Sequence, residues 1–173
     1  GGKVSYHTAD NSVTFELINL AGQVGGDMNG NNDTDRGVNT TPLGEHFLQI
    51  PVSETETGGL KITFEHPVPA LGMFVMGMEE GKRPLAITLT LANGEEHDGH
   101  EMGSADFFKG PSDVGGVGVV AYRVKSNDVG CFIKKVSLIQ PFTDGDTPAM
   151  RDIFSIDDLA FASTDPNPHL VEE

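Results

Sequence analysis

LAITLTL, residues 85–91, is the stretch whose reading decides the fold. Leu85, Ile87, Leu89 and Leu91 alternate with Ala86, Thr88 and Thr90. A side-chain period of two belongs to a strand with one buried face, not to a helix. Asn93-Gly94 follows, a strong hairpin signal because both residues accept the positive φ a tight turn requires. The same pattern extends in both directions. Upstream, Ala70–Met78 (ALGMFVMGM) reads as an apolar strand covered on both faces, with methionines filling an irregular core. Residues 60–64 (LKITF) set Leu60, Ile62 and Phe64 on one face after a Gly58-Gly59 turn. Pro67 and Pro69 are expected to close that strand, since neither can donate to a ladder. Residues 45–52 (EHFLQIPV) and 13–20 (VTFELINL) are further strands, the latter with Val13, Phe15 and Leu17 on one face. Downstream come 117–125 and 132–140, joined by a turn at Ser126-Asn127-Asp128, and then 153–161 (IFSIDDLAF). Eight or so strands with frequent turn signals and no interleaved helices predict an all-β, antiparallel two-sheet sandwich. No internal repeat suggests a solenoid or propeller.

The 173 residues suffice for one domain with a real core. Residues 1–164 are expected to form a single sandwich. Residues 165–173, with Pro166, Pro168, Glu172 and Glu173, read as a linker or tail. Lys and Arg number 11 against 26 Asp and Glu, a net charge of −15. Nucleic acid and anionic membranes need clustered cations, so both are excluded as partners. The apolar fraction of 37% argues against disorder, and no run is long enough for a membrane helix. The single cysteine, Cys131, excludes an internal disulfide and reads as a small buried hydrophobe among apolar neighbours. The opening Gly1-Gly2 suits a monomeric module excised from a longer chain.

Residues 25–46 (GGDMNGNNDTDRGVNTTPLGEH) break the strand pattern. Asp27, Asn29, Asn31, Asn32, Asp33, Asp35, Asn39, Thr40 and Thr41 supply oxygens, and Gly25, Gly26, Gly30 and Gly37 let the backbone fold back. Calcium takes six to eight oxygens in a flexible cage, so Asp27, Asn29, Asn31, Asp33 and Asp35 are predicted calcium ligands. An EF-hand is rejected, because a loop begun at Asp27 puts Asn32 at the glycine position and Val38 at the bidentate glutamate position. A solvated loop of ordinary turn residues is the competing reading. Two further polar excursions span 94–110 and 141–148, the latter with Asp144 and Asp146 flanking Gly145.

In the last strand, Asp157 and Asp158 are adjacent and therefore expected to point to opposite faces, placing one carboxylate inward or at an edge. An inward carboxylate needs a cation or donors. Glu16 is a plausible partner, and a structural calcium held by Glu16 and Asp157 would tie the chain ends together. His97-Asp98-Gly99-His100-Glu101 carries zinc-ligand types but follows a hairpin and lacks HExxH, so an exposed acidic hairpin is preferred. Phe107 and Phe108 cannot both face the core of a regular strand. Phe107, Ser112 and Asp113 are thus candidate ligand contacts, against the reading of two rings buried at a bend. No nucleophile elbow or phosphate loop is present.

The pair Phe15-Glu16 and the closing Ile156-Asp157-Asp158-Leu159 resemble the jelly-roll domains of bacterial exported proteins, including carbohydrate-binding modules whose acidic positions hold a structural calcium. Size, acidity, glycine content and an Asn/Asp loop after the first strand are similar to the peptide-binding domain of large calcium-dependent RTX-type surface adhesins. That resemblance implies a jelly roll on a bacterial cell surface, non-enzymatic, serving adhesion and biofilm formation. Its calcium would help grip the free C-terminal carboxylate of a partner protein, with Asn29, Asn31, Asp33 and Asp35 on the ligand-binding loop. A calcium-dependent carbohydrate-binding module with a glycan ligand is the alternative, although the chain has no Trp and only Tyr6 and Tyr122. A jelly-roll hydrolase and a calcium-stiffened spacer rank behind.

Overall fold

The computed structural model describes residues 2–19, 48–50, 56–78, 85–99, 106–108, 116–143, 145 and 154–162, with backbone only at 77–78, 106–108 and 116–118. Eleven strands run through these residues. They are β1 (Lys3–His7), β2 (Ser12–Ile18), β3 (Leu48–Ile50), β4 (Gly58–Val68), β5 (Ala70–Met78), β6 (Ala86–Leu91), β7 (Glu96–Asp98), β8 (Asp106–Phe108), β9 (Gly116–Arg123), β10 (Ile133–Gln140) and β11 (Phe154–Phe161). A six-stranded sheet has the order β1-β2-β4-β10-β6-β7 and a five-stranded sheet the order β3-β11-β5-β9-β8. Every pairing is antiparallel.

Period-two patterning becomes burial. Val13, Phe15 and Leu17 of β2, Leu60, Ile62 and Phe64 of β4, and Ile87, Leu89 and Leu91 of β6 face Leu71, Met73 and Val75 of β5 and Phe154 and Ile156 of β11 in one shared core. Phe64 and Phe161 meet edge to face with centroids 5.3 Å apart, joining the sheets through an aromatic pair. The residues between them face outward. On the six-stranded sheet one outward row reads Lys3, Glu16, Lys61, Ser137, Thr88 and Asp98 across all six strands.

Several boundaries differ from the sequence expectation. The strand expected to stop at Pro67 continues to Val68. Its register against β10 jumps from Thr63↔Lys135 to Val68↔Ile133, so the backbone bulges before Val68 and Pro67 sits where no ladder bond is needed. Lys134 Nζ donates to the Glu65 carbonyl there. On the other side Asn11 replaces the missing strand, its Nδ2 donating to the His66 carbonyl (2.8 Å) and its Oδ1 accepting from the His66 N–H (2.9 Å). Gly58 and Gly59 are strand, not turn; a Cβ on Gly59 would run into the Leu138 carbonyl oxygen of β10. Strands β1, β7 and β8 were not expected from the sequence, being short or polar. Cys131 lies half-buried in a short 3-10 turn rather than in the core.

Chain connectivity defines two ends. At one, Pro69 alone links β4 to β5 across the sheets, and the four-residue loop 92–95 closes the β6–β7 hairpin. Gly94 takes φ 91° there and donates its N–H to the Leu91 carbonyl, as the Asn-Gly signal predicted. At the opposite end lie the close of β2, the start of β4, the close of β5, the start of β6, the close of β10 and the start of β11.

Candidate functional site

Topology positions the candidate site before any side chain is considered. Residues 20–47, which contain the oxygen-rich stretch, run between the end of β2 and the start of β3, from one sheet to the other. Residues 109–115 run between β8 and β9, and 141–153 between β10 and β11. The strand ends bracketing 109–115 and 141–153, and the exit of β2 into 20–47, belong to the same end of the sandwich, opposite Pro69. The start of β3 does not, since Leu48 pairs with Ile156 while Ile50 pairs with Phe154 at that end. Asp27, Asn29, Asn31, Asp33, Asp35, Ser112 and Asp113 lie outside the described residues. Phe107 is the middle residue of β8, paired with Gly118 at the edge of the five-stranded sheet.

The bracketing strand ends are tied locally. Asn19 takes φ 50°, a left-handed turn that Asn accepts more readily than most residues, and its Nδ2 donates to the Thr57 carbonyl (3.0 Å). Thr57 Oγ1 in turn accepts from the Phe142 N–H (2.9 Å). The exits of β2 and β10 and the entry of β4 are thereby held together.

Glu16 and Asp157 are not brought together. Glu16 alternates with Phe15 and Leu17, so it stands on the outward face of the six-stranded sheet. Lys61 on β4 sits opposite, its Nζ 2.7 Å from Glu16 Oε2. That hydrogen bond holds the Glu16 carboxyl below the usual carboxylate range. Asp157 belongs to the five-stranded sheet, opposite Phe74 and one residue beyond the core residue Ile156. A calcium shared by Glu16 and Asp157 therefore does not fit this fold.

The adjacent aspartates also resolve differently from expectation. The β11–β5 register slips between Asp157 and Ala160, and Asp158 takes φ 50° as the extra residue of a bulge. Asp157 Oδ1 accepts the Asp158 N–H (2.9 Å), and Asp158 is exposed. The bulge restores phase, so Leu159 and Phe161 return to the core and neither carboxylate enters it.

A feature that sequence reading missed lies at the β7 edge. His97 and Gly99 share the inward side of β7. Any Cβ on Gly99 would lie 2.5 Å from the Tyr122 hydroxyl and 2.6 Å from Ile87 Cγ2. Tyr122 is 5% exposed, and its OH, His97 Nε2 and Thr90 Oγ1 are buried without hydrogen-bond partners among the described residues. Burial, and secondarily the Asp98 charge, push the phenol up to about 12. No sequence signal marks this site, because only the packing of β9 against β7 brings Tyr122 to Gly99. Of the stretch 97–101 read as an exposed hairpin, Asp98 is exposed and the His97 side chain is 39% exposed with its Nε2 3.6 Å from Glu95 Oε2, while Gly99 is buried.

Among the described residues no group of three or more His, Cys, Asp or Glu is placed to hold a metal ion. Comparison with known proteins finds no matching family model, curated protein or solved structure.

Proposed function

We propose that this chain is a calcium-dependent ligand-binding module of a large extracellular bacterial adhesin, a jelly roll that takes the free C-terminus of a partner protein. The supporting observation is topological: residues 20–47 leave the six-stranded sheet at the close of β2, the same end of the sandwich at which the strands bracketing 109–115 and 141–153 open and close. Two antiparallel sheets packed on one core support the β-sandwich part of this reading.

Asp27, Asn29, Asn31, Asp33 and Asp35 would hold the cation, their carboxylate and amide oxygens matching calcium's preference for hard donors. When bound, calcium supplies a positive centre on a chain of net charge −15. Without such a centre a ligand carboxylate would be repelled. Phe107, Ser112 and Asp113 belong to the neighbouring β8–β9 region and would contact the side chains of the ligand.

Calorimetric titration tests the reading. Peptides with free and with amidated C-termini are compared in calcium and in chelator, alongside simple glycans. Binding of only the free-carboxylate peptide, lost in chelator and weakened by Asp33→Ala or Asp35→Ala, supports it. Calcium-dependent heat from glycans alone moves the function to a lectin.

A further inference from the structure

We infer that the free edge of β1 takes an extended acidic and apolar segment of a partner protein, added antiparallel as a further strand of the six-stranded sheet. This inference is independent of the calcium-dependent reading, since β1 contains none of the proposed calcium ligands.

Among the described residues four strands form sheet edges, β1, β7, β3 and β8, and it is in this sense that the β1 edge is free. The other three are only three residues long, a common way to blunt an edge, whereas β1 has five residues with no proline and no register break. Hydrogen-bond phase shows which groups are free. Leu17 N–H donates to the Gly2 carbonyl (2.9 Å) and Thr8 N–H to the Asn11 carbonyl (2.8 Å), so the even-numbered residues bond to β2. Lys3, Ser5 and His7 therefore turn their N–H and C=O groups away from the sheet, in the spacing an antiparallel partner needs.

Side chains give this edge a chemical preference. Tyr6 is 54% exposed and packs edge-on against Phe15 at 5.6 Å, while Val4 rests on the core. Together they extend the apolar layer past the last strand, ready for an inward apolar side chain. The outward residues are Lys3, Ser5 and His7, an ammonium, a hydroxyl and an imidazole on a chain of net charge −15. Acidic residues on the outward face of an added strand complement it. A second copy does not: antiparallel pairing of two β1 strands about Ser5 offers Lys3 no acidic partner and brings two acidic chains together.

The probe is a fluorescent peptide alternating valine and glutamate, acetylated and amidated so that no free carboxylate remains at its end. Anisotropy with the full chain is expected to show binding in calcium and in chelator alike. In the inferred pairing each glutamate opposes Lys3, Ser5 or His7 and donates its N–H to β1, whereas valine N–H groups point to solvent. N-methylation of the glutamate amides is expected to weaken binding by at least about tenfold and N-methylation of the valine amides to leave it unchanged. Lys3→Glu is expected to weaken it by about tenfold and salt to weaken it further. Absence of binding, equal loss from both methylated sets, or indifference to Lys3→Glu overturns the proposal. Binding that requires calcium overturns it in favour of the loop end. A concentration-dependent dimer abolished by Ser5→Pro overturns it in favour of self-pairing.

Discussion

The two ends of the sandwich are held by different means. At the Pro69 end two connections are short, Pro69 itself and the β6–β7 loop, while 124–132 between β9 and β10 is held by a 3-10 turn capped by Asp128. Pro69 crosses between sheets alone, its carbonyl accepting the Val124 N–H (2.8 Å), while the Ala70 carbonyl accepts the Ala162 N–H (2.9 Å). Asn11 completes the edge of β4 where β2 has already turned. At the other end long polar connections leave the sheets, and close backbone approach at Gly59 and the Thr57 bonds hold the strand exits. One end satisfies its backbone from nearby residues. The other, under the proposed function, needs a cation to hold its long connections.

The strongest way to break this contrast is Gly59→Ala. Its Cβ meets backbone, not a side chain that can swing aside, so β4 and β10 must separate. A loss of about 3 kcal/mol is expected in urea denaturation. Calcium removal comes next. If the loop end binds calcium, a hundredfold excess over Kd stabilises by about 2.7 kcal/mol. Chelator should then lower Tm for the wild type but not for an Asp33→Ala, Asp35→Ala double variant. Equal melting with and without calcium would remove the contrast on which the proposal rests.

Asn11→Ala probes the Pro69 end. Two hydrogen bonds to His66 vanish and leave part-buried backbone groups unpaired, a loss of about 2 kcal/mol that calcium should not alter.

The smallest change is expected from Tyr122→Phe. It deletes a hydroxyl with no hydrogen-bond partner among the described residues, so stability should stay within about 1 kcal/mol of wild type or rise. The pH dependence is more telling. Folding raises this phenol from 10.0 to about 12, so the folded state favours the neutral form. Its contribution is complete below about pH 10 and is lost as pH climbs toward 12. Wild-type stability should fall across that window, and the phenylalanine variant should lose that component of the fall.

Period-two alternation made the central strands legible. Val13 to Leu17, Leu60 to Phe64 and Ile87 to Leu91 alternate in the sequence and do so in the core, because a strand with one wet face must write its burial into every second residue. The Asn93-Gly94 hairpin was legible for an equally local reason, the positive φ of Gly94. Short edge strands were not, since β7 and β8 have three residues each and too little periodicity to stand out. Asp157 and Asp158 misled because alternation holds only while register holds, and the β11 bulge changes it.

The sequence by itself determined an acidic all-β chain, the inward face of its central strands, and a run rich in oxygen-bearing side chains from Asp27 to Asp35. These are properties of composition and of neighbours along the chain. Only the tertiary structure decided which strands became edges, that Glu16 pairs with Lys61 rather than Asp157, and that Tyr122 is buried against Gly99. Those outcomes depend on strand order and bulges, which arise from packing between residues far apart in sequence and leave no local periodicity to read.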